Sequence, residues 1–451
     1  MFENRNPWTG EPHRHDTMSA AQVEAALTTA AAAFPGWAAL GLEARSAHLR
    51  RIGEVLKSRR RELAALATAE MGKLAAEALA EVDKSASACL YYADHAAGYL
   101  RDVPVGTGSA RSYVAYEPIG CVLAIMPWNF PYWQVFRFLA PGLMAGNVAL
   151  LKHATNVPRC ADAIAGVLRE AGVPDGVFGV LHIDNDQAAQ VIADPRVKAV
   201  TLTGSERAGR SVAATAGANL KKCVLELGGS DPFVVLADAD LDAAVKIAVA
   251  SRFGNAGQTC IAAKRFVVVD AIADEFVRRF VEASAALRVG DPTDTSTTLA
   301  PLARADLRDQ LDRQVRDSVA AGARVLLGGT PGEGDTAYPA TVLDGVAPGM
   351  PAYHEELFGP VASLLRVRDE DEAVRVANDT AFGLGASVWT TDRARGEALA
   401  RRIAAGACFV NALVRSDVRL PFGCTKSSGF GRELAEHGIH EFTNIKSVYI
   451  D

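Results

Sequence analysis

A thiol, a carboxylate and an amide stand out, each in a short stretch of unusual chemistry. Cys260 lies in GNAGQTCIAAKR (254–265), where small and polar residues precede the thiol and a basic pair, Lys264 and Arg265, follows. A structural thiol normally sits in an apolar run. A nucleophilic one needs access, nearby donors and a lowered pKa, and glycines on its N-terminal side let a substrate approach the backbone. Glu226, in LELGGSDP, is a carboxylate in an otherwise apolar strand, followed by Gly228 and Gly229. Desolvation there would raise its pKa and suit it to general-base work, although a partnered structural carboxylate reads the same way. Asn129, in PWNFP (127–131), is held between prolines that fix the turn. Its amide can stabilise an oxyanion or simply cap the turn.

A second group of residues has types suited to a nucleotide. TGSERAG (203–209) ends a strand and opens a helix, so the N–H groups following Gly204 and Ser205 can hold a phosphate, and Ser205 can equally be an ordinary N-cap. Lys152, in LLKHAT, ends another strand, where it can bond a ribose hydroxyl or be solvated. Glu356 and Phe358, in HEELFGPV (354–361), join an acidic group to an aromatic ring ahead of Gly359–Pro360. There is no GxGxxG after a strand, no P-loop and no cysteine–histidine spacing of a metal site.

The elements that must carry these groups follow from periodicity. Residues 16–100 read as helical, with SAAQ (19–22) as a capping box and Leu49, Ile52 and Leu56 on one face. From 119 the chain alternates: CVLAIMPWN, VALLKHA, VFGVLHI, AVTLTGS and KCVLELGG are apolar runs separated by helical segments. Continuous apolar strands alternating with helices predict a parallel, doubly wound α/β sheet that binds ligands beyond its carboxyl ends. Asn129, Lys152, Gly204–Ser205 and Glu226 all fall at such ends. After 260 a second α/β rhythm follows, and the alternating tail FTNIKSVYID has no obvious partner strand, which predicts pairing elsewhere, as with another subunit.

The 451 residues call for two or three domains. A net charge of −6 argues against nucleic acid as a partner. No apolar run reaches the ~18–20 residues that cross a bilayer, and the N-terminus has no signal-like apolar stretch. Seven scattered cysteines (89, 121, 160, 223, 260, 408, 424) read as reduced thiols, and a cytoplasmic protein is expected.

In their order along the chain, PWNFP, LLKHA, TGSERAG, LELGGSDP, GNAGQTC, EELFGP and PFGCTKSSGFGRE resemble the aldehyde dehydrogenase superfamily, from NPWTGE (6–11) to NIKSV (444–448). The resemblance implies a Rossmann-like NAD(P) domain (1–103 and 118–228), an α/β catalytic domain (229–433) and a small oligomerisation element (104–117 and 434–451) of a homodimer or homotetramer. It gives Cys260 the role of nucleophile and gives the Asn129 amide, with the Cys260 N–H, that of oxyanion donors. Glu226 becomes the base that hydrolyses the thioester. Trp128, Lys152, Thr155, Gly204, Ser205, Gly209, Leu227, Glu356 and Phe358 become cofactor contacts.

The same stretches look like the succinate-semialdehyde dehydrogenase branch. There Arg137 and Ser416 match carboxylate-binding positions, and Arg415 and Arg419 can add charge. An uncharged Thr155, where strict NAD enzymes often carry glutamate, and His153 beside it favour NADP over NAD. Gly254 stands where some relatives place a second carboxylate-binding arginine, and Cys424 is not given a catalytic role. The alternatives are an uncharged aldehyde, a CoA-acylating or phosphorylating relative, and a non-catalytic protein on this scaffold.

Overall fold

The computed structural model describes residues 1–451 as three larger sheets of six, seven and three strands and three two-stranded ones, with helices packed around them. The amino-terminal part is helical as its pattern predicts, with helices Ala20–Ala39, Leu42–Ser58, Arg60–Met71 and Ala75–Tyr99. The capping box forms: Ser19 Oγ accepts from the Gln22 N–H, and Gln22 Oε1 accepts from the Ser19 N–H. A short antiparallel hairpin, Phe2–Arg5 with Pro12–His15, precedes it and is invisible to periodicity.

The first sheet orders its strands as Gly429–Phe430, Lys222–Glu226, Val197–Thr203, Cys121–Met126, Val148–His153 and Phe178–Val180. The last five are parallel, as expected from their apolar runs. Sequence order runs outward in opposite directions from the pair Cys121–Met126 and Val197–Thr203. A crevice therefore opens beyond their carboxyl ends, where the flanking helices diverge. The edge strand comes from the glycine-rich segment far down the chain and is antiparallel, pairing Gly429 with Glu226. Gly429 has φ 116°, and a Cβ there would strike the Leu225 carbonyl, so only glycine lets this strand close on its neighbour.

The second sheet orders Arg324–Leu327, Thr341–Asp344, Val361–Val367, Ala263–Val269, Asp231–Val235, Gly385–Trp389 and Ala407–Val410, all parallel except the first pair. Each sheet has its own apolar core, and the first core also takes in Leu384, Phe422, Cys424, Leu434 and Phe442 from the far end of the chain.

The third sheet corrects the reading of the tail. Thr443–Ile450 pairs along its length with Arg111–Pro118 of the same chain, and Val103–Pro104 lies on the other side. The partner was hidden because strand pairing across more than 300 positions leaves no local trace. No single helix is long and apolar enough to cross a membrane.

Candidate active site

Two cavities meet at Cys260. The wider one, about 640 Å³, lies over the crevice of the first sheet and is walled on the other side by residues of the second half of the chain. The narrower one, about 300 Å³, lies on the opposite side of the thiol. Only Gln134 and Cys260 line both.

The thiol is carried by a backbone segment that few sequences could adopt. Asn255, Ala256 and Gly257 take φ of 53°, 53° and 71°, three successive left-handed residues. For Asn255 and Ala256 that costs about 1 kcal/mol or more each, so the surroundings must hold them. They do. The Asn255 N–H donates to Glu77 Oε1 at 2.8 Å, and its Nδ2 donates to the carbonyls of Asn129 and Gln258. The fully buried Arg252 donates to the carbonyls of Gly257 and Gly359, both at 2.7 Å. Gln258 Oε1 accepts from the Ala303 N–H at 2.9 Å. A Cβ at Gly257 would strike the Gly359 carbonyl, so the turn admits only glycine there.

Asn129 is buried on the wall of the wider cavity. Its Nδ2 donates one hydrogen to the Gln258 carbonyl at 2.9 Å and keeps a second N–H for another acceptor. It begins the loop after Cys121–Met126. The helix Trp133–Met144 that follows is anchored by Glu81, whose Oε1 accepts from the N–H groups of Tyr132 and Trp133. Lys73 forms a buried ion pair with Glu81.

The electrostatics of Cys260 differ from the expectation of a lowered pKa. Although the sulfur is only half-buried, desolvation pushes the thiol up to about 11, against the opposing pull of Arg137 and Lys264. Lys264 is close because its Nζ donates to the carbonyls of Thr259 and Cys260. In the free protein the sulfur rests as a thiol.

Glu226 is buried, and neither carboxylate oxygen has a hydrogen-bond partner. Desolvation, then the neighbouring Glu433, holds its pKa well above the usual carboxylate range; Arg137 and Arg432 act against that. It lies behind Leu227 and Gly228, which line the wider cavity, and not on either lining itself. Cys424 is buried beside it, with its Sγ–H on the Ser428 carbonyl.

The wider cavity fits an extended dinucleotide. The helix Glu206–Ala218 starts on its wall, N-capped by Ser205 Oγ on the Ala208 N–H, with Ser205, Glu206 and Arg207 on the lining; a helix start of this kind suits an anion. Gly209 lets this helix pack, because a Cβ there would meet Leu227 Cδ1 at 2.5 Å. Trp128 and Phe358 stand edge to face across the cleft, with centroids 5.8 Å apart. Glu356 also lines the cleft, paired with Lys264 at 3.2 Å and accepting from the Gly229 N–H. A Cβ at Gly228 would strike that carboxylate, which explains the first glycine after the Glu226 strand. Lys152 and Thr155 lie beyond this lining, at the carboxyl end of the adjacent strand, Lys152 buried and Thr155 exposed. His153 does not supply the positive charge expected of it. Its Nδ1 accepts from the Ala154 N–H, its Nε2–H donates to the Pro131 carbonyl, and burial pushes its pKa down to about 4.

The narrower cavity brings together Lys84, Trp133, Arg137, Cys260, Ser416 and Phe422. Arg137 is there, but its charge is already engaged. It ion-pairs with buried Glu433, donates to Thr203 Oγ1 at 3.1 Å and lies over the Phe422 ring. Ser416 lines the cavity, whereas Arg415 is exposed and off the lining, and Arg419 is exposed and paired with Asp417. Lys84 has no counterpart in the sequence reading. It sits in an alanine-rich helix where a lysine looks solvated, and only the fold turns it inward.

The chain matches the model of the aldehyde dehydrogenase family over residues 1–448. It belongs to that family. Among similar proteins, the succinate semialdehyde dehydrogenase [NAD(P)+] Sad of Escherichia coli K12 is 50% identical over 446 residues, covering 99% of this chain and 95% of the relative. A probable succinate-semialdehyde dehydrogenase [NADP(+)] of Synechocystis is also 50% identical, over 450 residues, covering 99% of this chain and 98% of the relative. The crystal structure of succinic semialdehyde dehydrogenase from Streptococcus pyogenes in complex with NADP+ superposes with a TM-score of 0.98 at 39% identity, covering 100% of both chains. This aldehyde dehydrogenase therefore has the doubly wound cofactor domain and α/β catalytic domain expected from its sequence.

Proposed function

We propose that this aldehyde dehydrogenase oxidises succinate semialdehyde, or another small aldehyde bearing a carboxylate, to the acid with NADP, with NAD also accepted. The observation that carries the reading is the position of Cys260 between two cavities. One is long and polar enough for a dinucleotide, and the other is small and largely apolar, with Lys84, Arg137 and Ser416 on its lining. Relatives at 50% identity carry this activity in their names.

The residues divide the work as follows. Cys260 releases its proton to solvent and attacks the aldehyde carbon, helped by the positive charges of Arg137 and Lys264. The oxyanion of the thiohemiacetal is held by the free N–H of the Asn129 amide and the Cys260 N–H. A nicotinamide cofactor held in the wider cavity would supply the hydride acceptor, and Trp128 and Phe358 would border it. Gly204 and Ser205 would hold the pyrophosphate, with Gly209 and Leu227 behind them, Lys152 and Glu356 would bond ribose hydroxyls, and Thr155 would leave room for a 2′-phosphate. Glu226, once ionised, takes a proton from the water that hydrolyses the thioester. Ser416 and Arg137 border the substrate's far end. The open edge of Thr443–Ile450, with Ile445 and Tyr449 exposed, pairs copies into a dimer or tetramer. Seven unpaired thiols fit the cytoplasm.

Steady-state rates for a panel of aldehydes with NAD and NADP test this. The highest kcat/KM is expected for succinate semialdehyde with NADP. Equal kcat/KM for butanal would remove the carboxylate, and absence of cofactor reduction with every aldehyde would remove the reaction.

A further inference from the structure

We infer that His15, Asp162 and His182 form a binding site for a divalent first-row transition ion, at the outer edge of the first sheet and off the linings of both cavities. The three side chains come from three elements. His15 ends the second strand of the amino-terminal hairpin, Asp162 lies on the helix Pro158–Glu170, and His182 follows the edge strand Phe178–Val180. The first is far from the other two along the chain, so the sequence shows no ligand spacing.

One ligand atom from each residue, an imidazole nitrogen or a carboxylate oxygen, lies within 4.8 Å of the other two. His182 Nε2 is hydrogen-bonded to Asp162 Oδ1 at 2.7 Å. His15 Nε2 stands 3.8 Å from Asp162 Oδ2, too far for a hydrogen bond, so that nitrogen is left for another partner. The two imidazole rings are tilted at 57°, with centroids 4.0 Å apart. The carboxylate serves one ring well and the other poorly, whereas an ion between the three groups satisfies all of them.

Two imidazoles and one carboxylate are the donor set of zinc and its neighbours; calcium and magnesium take oxygen ligands. Ligands about 2.0–2.2 Å from a tetrahedral ion are roughly 3.4 Å apart, so binding asks for side-chain shifts of about an ångström. Asp162 is the most exposed of the three side chains, at 52% against 26% for His15 and 16% for His182, and a fourth position on its side is open to water. The backbone already holds the elements together. Asn4 is opposite His13, so it shares a face of the hairpin with His15, and its Nδ2 donates to the Asn156 carbonyl at 2.7 Å. The Met18 N–H donates to the His182 carbonyl at 2.8 Å. An ion adds a further tie and clips the hairpin to the sheet edge.

The test is Zn²⁺ titrated into the enzyme by calorimetry, with reactive thiols first carbamidomethylated so that Cys260 does not compete. One ion per chain is expected, with a Kd on the order of 1 µM. His15→Ala, His182→Ala and Asp162→Asn should each weaken it at least ~10-fold. Trypsin cleavage after the exposed Arg14 should slow with Zn²⁺ in the wild type and not in Asp162→Asn. Co²⁺ in place of Zn²⁺ should give ligand-field bands without thiolate charge transfer. Turnover before alkylation reports folding, and Asp162→Asn, at the surface, keeps the test open should a histidine variant fail to fold. No binding at ~100 µM Zn²⁺, binding that Asp162→Asn and His182→Ala leave within about twofold, or thiolate bands with Co²⁺ would each overturn the inference.

Discussion

The two cavities on either side of Cys260 are built on opposite plans. The wider cleft is lined by backbone N–H groups, a helix start, two aromatic rings and a glutamate already held by a lysine. Its polar groups are satisfied or point along a long path, so recognition is spread over many weak contacts. The narrower cavity concentrates its polarity in a few side chains, Lys84, Arg137, Glu77, Glu81 and the Ser416 hydroxyl, against apolar walls. A large ligand common to many enzymes can be held by shape and backbone. A small one must be chosen by charge, because a few methylenes discriminate poorly.

Four perturbations sharpen or break this division, in descending size. Cys260→Ala removes the atom common to both cavities and should lower cofactor reduction by at least about 10⁴-fold, while cofactor binding, read by fluorescence quenching, persists. Retained turnover would dissolve the division at its centre. Glu226→Gln should spare the first burst of reduced cofactor and lower steady-state turnover ~10²–10⁴-fold. With its pKa held high, the wild-type residue is ionised only as pH rises through that raised value, so thioester hydrolysis should quicken with pH and the variant should lose that dependence. A wild-type hydrolysis rate flat across pH 6 to 9 would count against the base. Carbamidomethylation of Cys260 in the free enzyme, followed by peptide mass, should accelerate roughly tenfold per pH unit from pH 7 to 10, because the thiol sits at about 11. A plateau below pH 8 would show that the cations outweigh desolvation. Thr155→Glu touches the wider side alone. It should raise KM for NADP about tenfold relative to NAD and leave the preference between succinate semialdehyde and butanal in place. A change in aldehyde preference would mean that the two sides are coupled.

The comparison also explains what could be read from residues alone. Strand ends were legible because parallel strands buried on both faces are continuous apolar runs, and Asn129, Ser205 and Glu226 sit where those runs stop. Gly257, Gly228 and Gly209 were legible as glycines but not as causes; their neighbours, Gly359, Glu356 and Leu227, come from elsewhere in the fold. Lys84 was missed because a lysine among alanines in a helix has no local mark of burial. Arg137 was read as a free cation because Glu433, almost 300 positions away, neutralises it only after folding. The cysteine's raised pKa follows from the same blindness, since desolvation is a property of the packed neighbourhood. The antiparallel Gly429–Phe430 strand, two residues long, is too short to leave any periodicity.

That short strand sets an order of events during synthesis. Until residue 430 has left the ribosome, the Lys222–Glu226 strand has a bare edge, and the pocket behind Leu227 lies open to solvent on that flank. The carboxylate can become dry only when almost the entire polypeptide exists, so a nascent or prematurely terminated chain holds its thiol loop without a finished base.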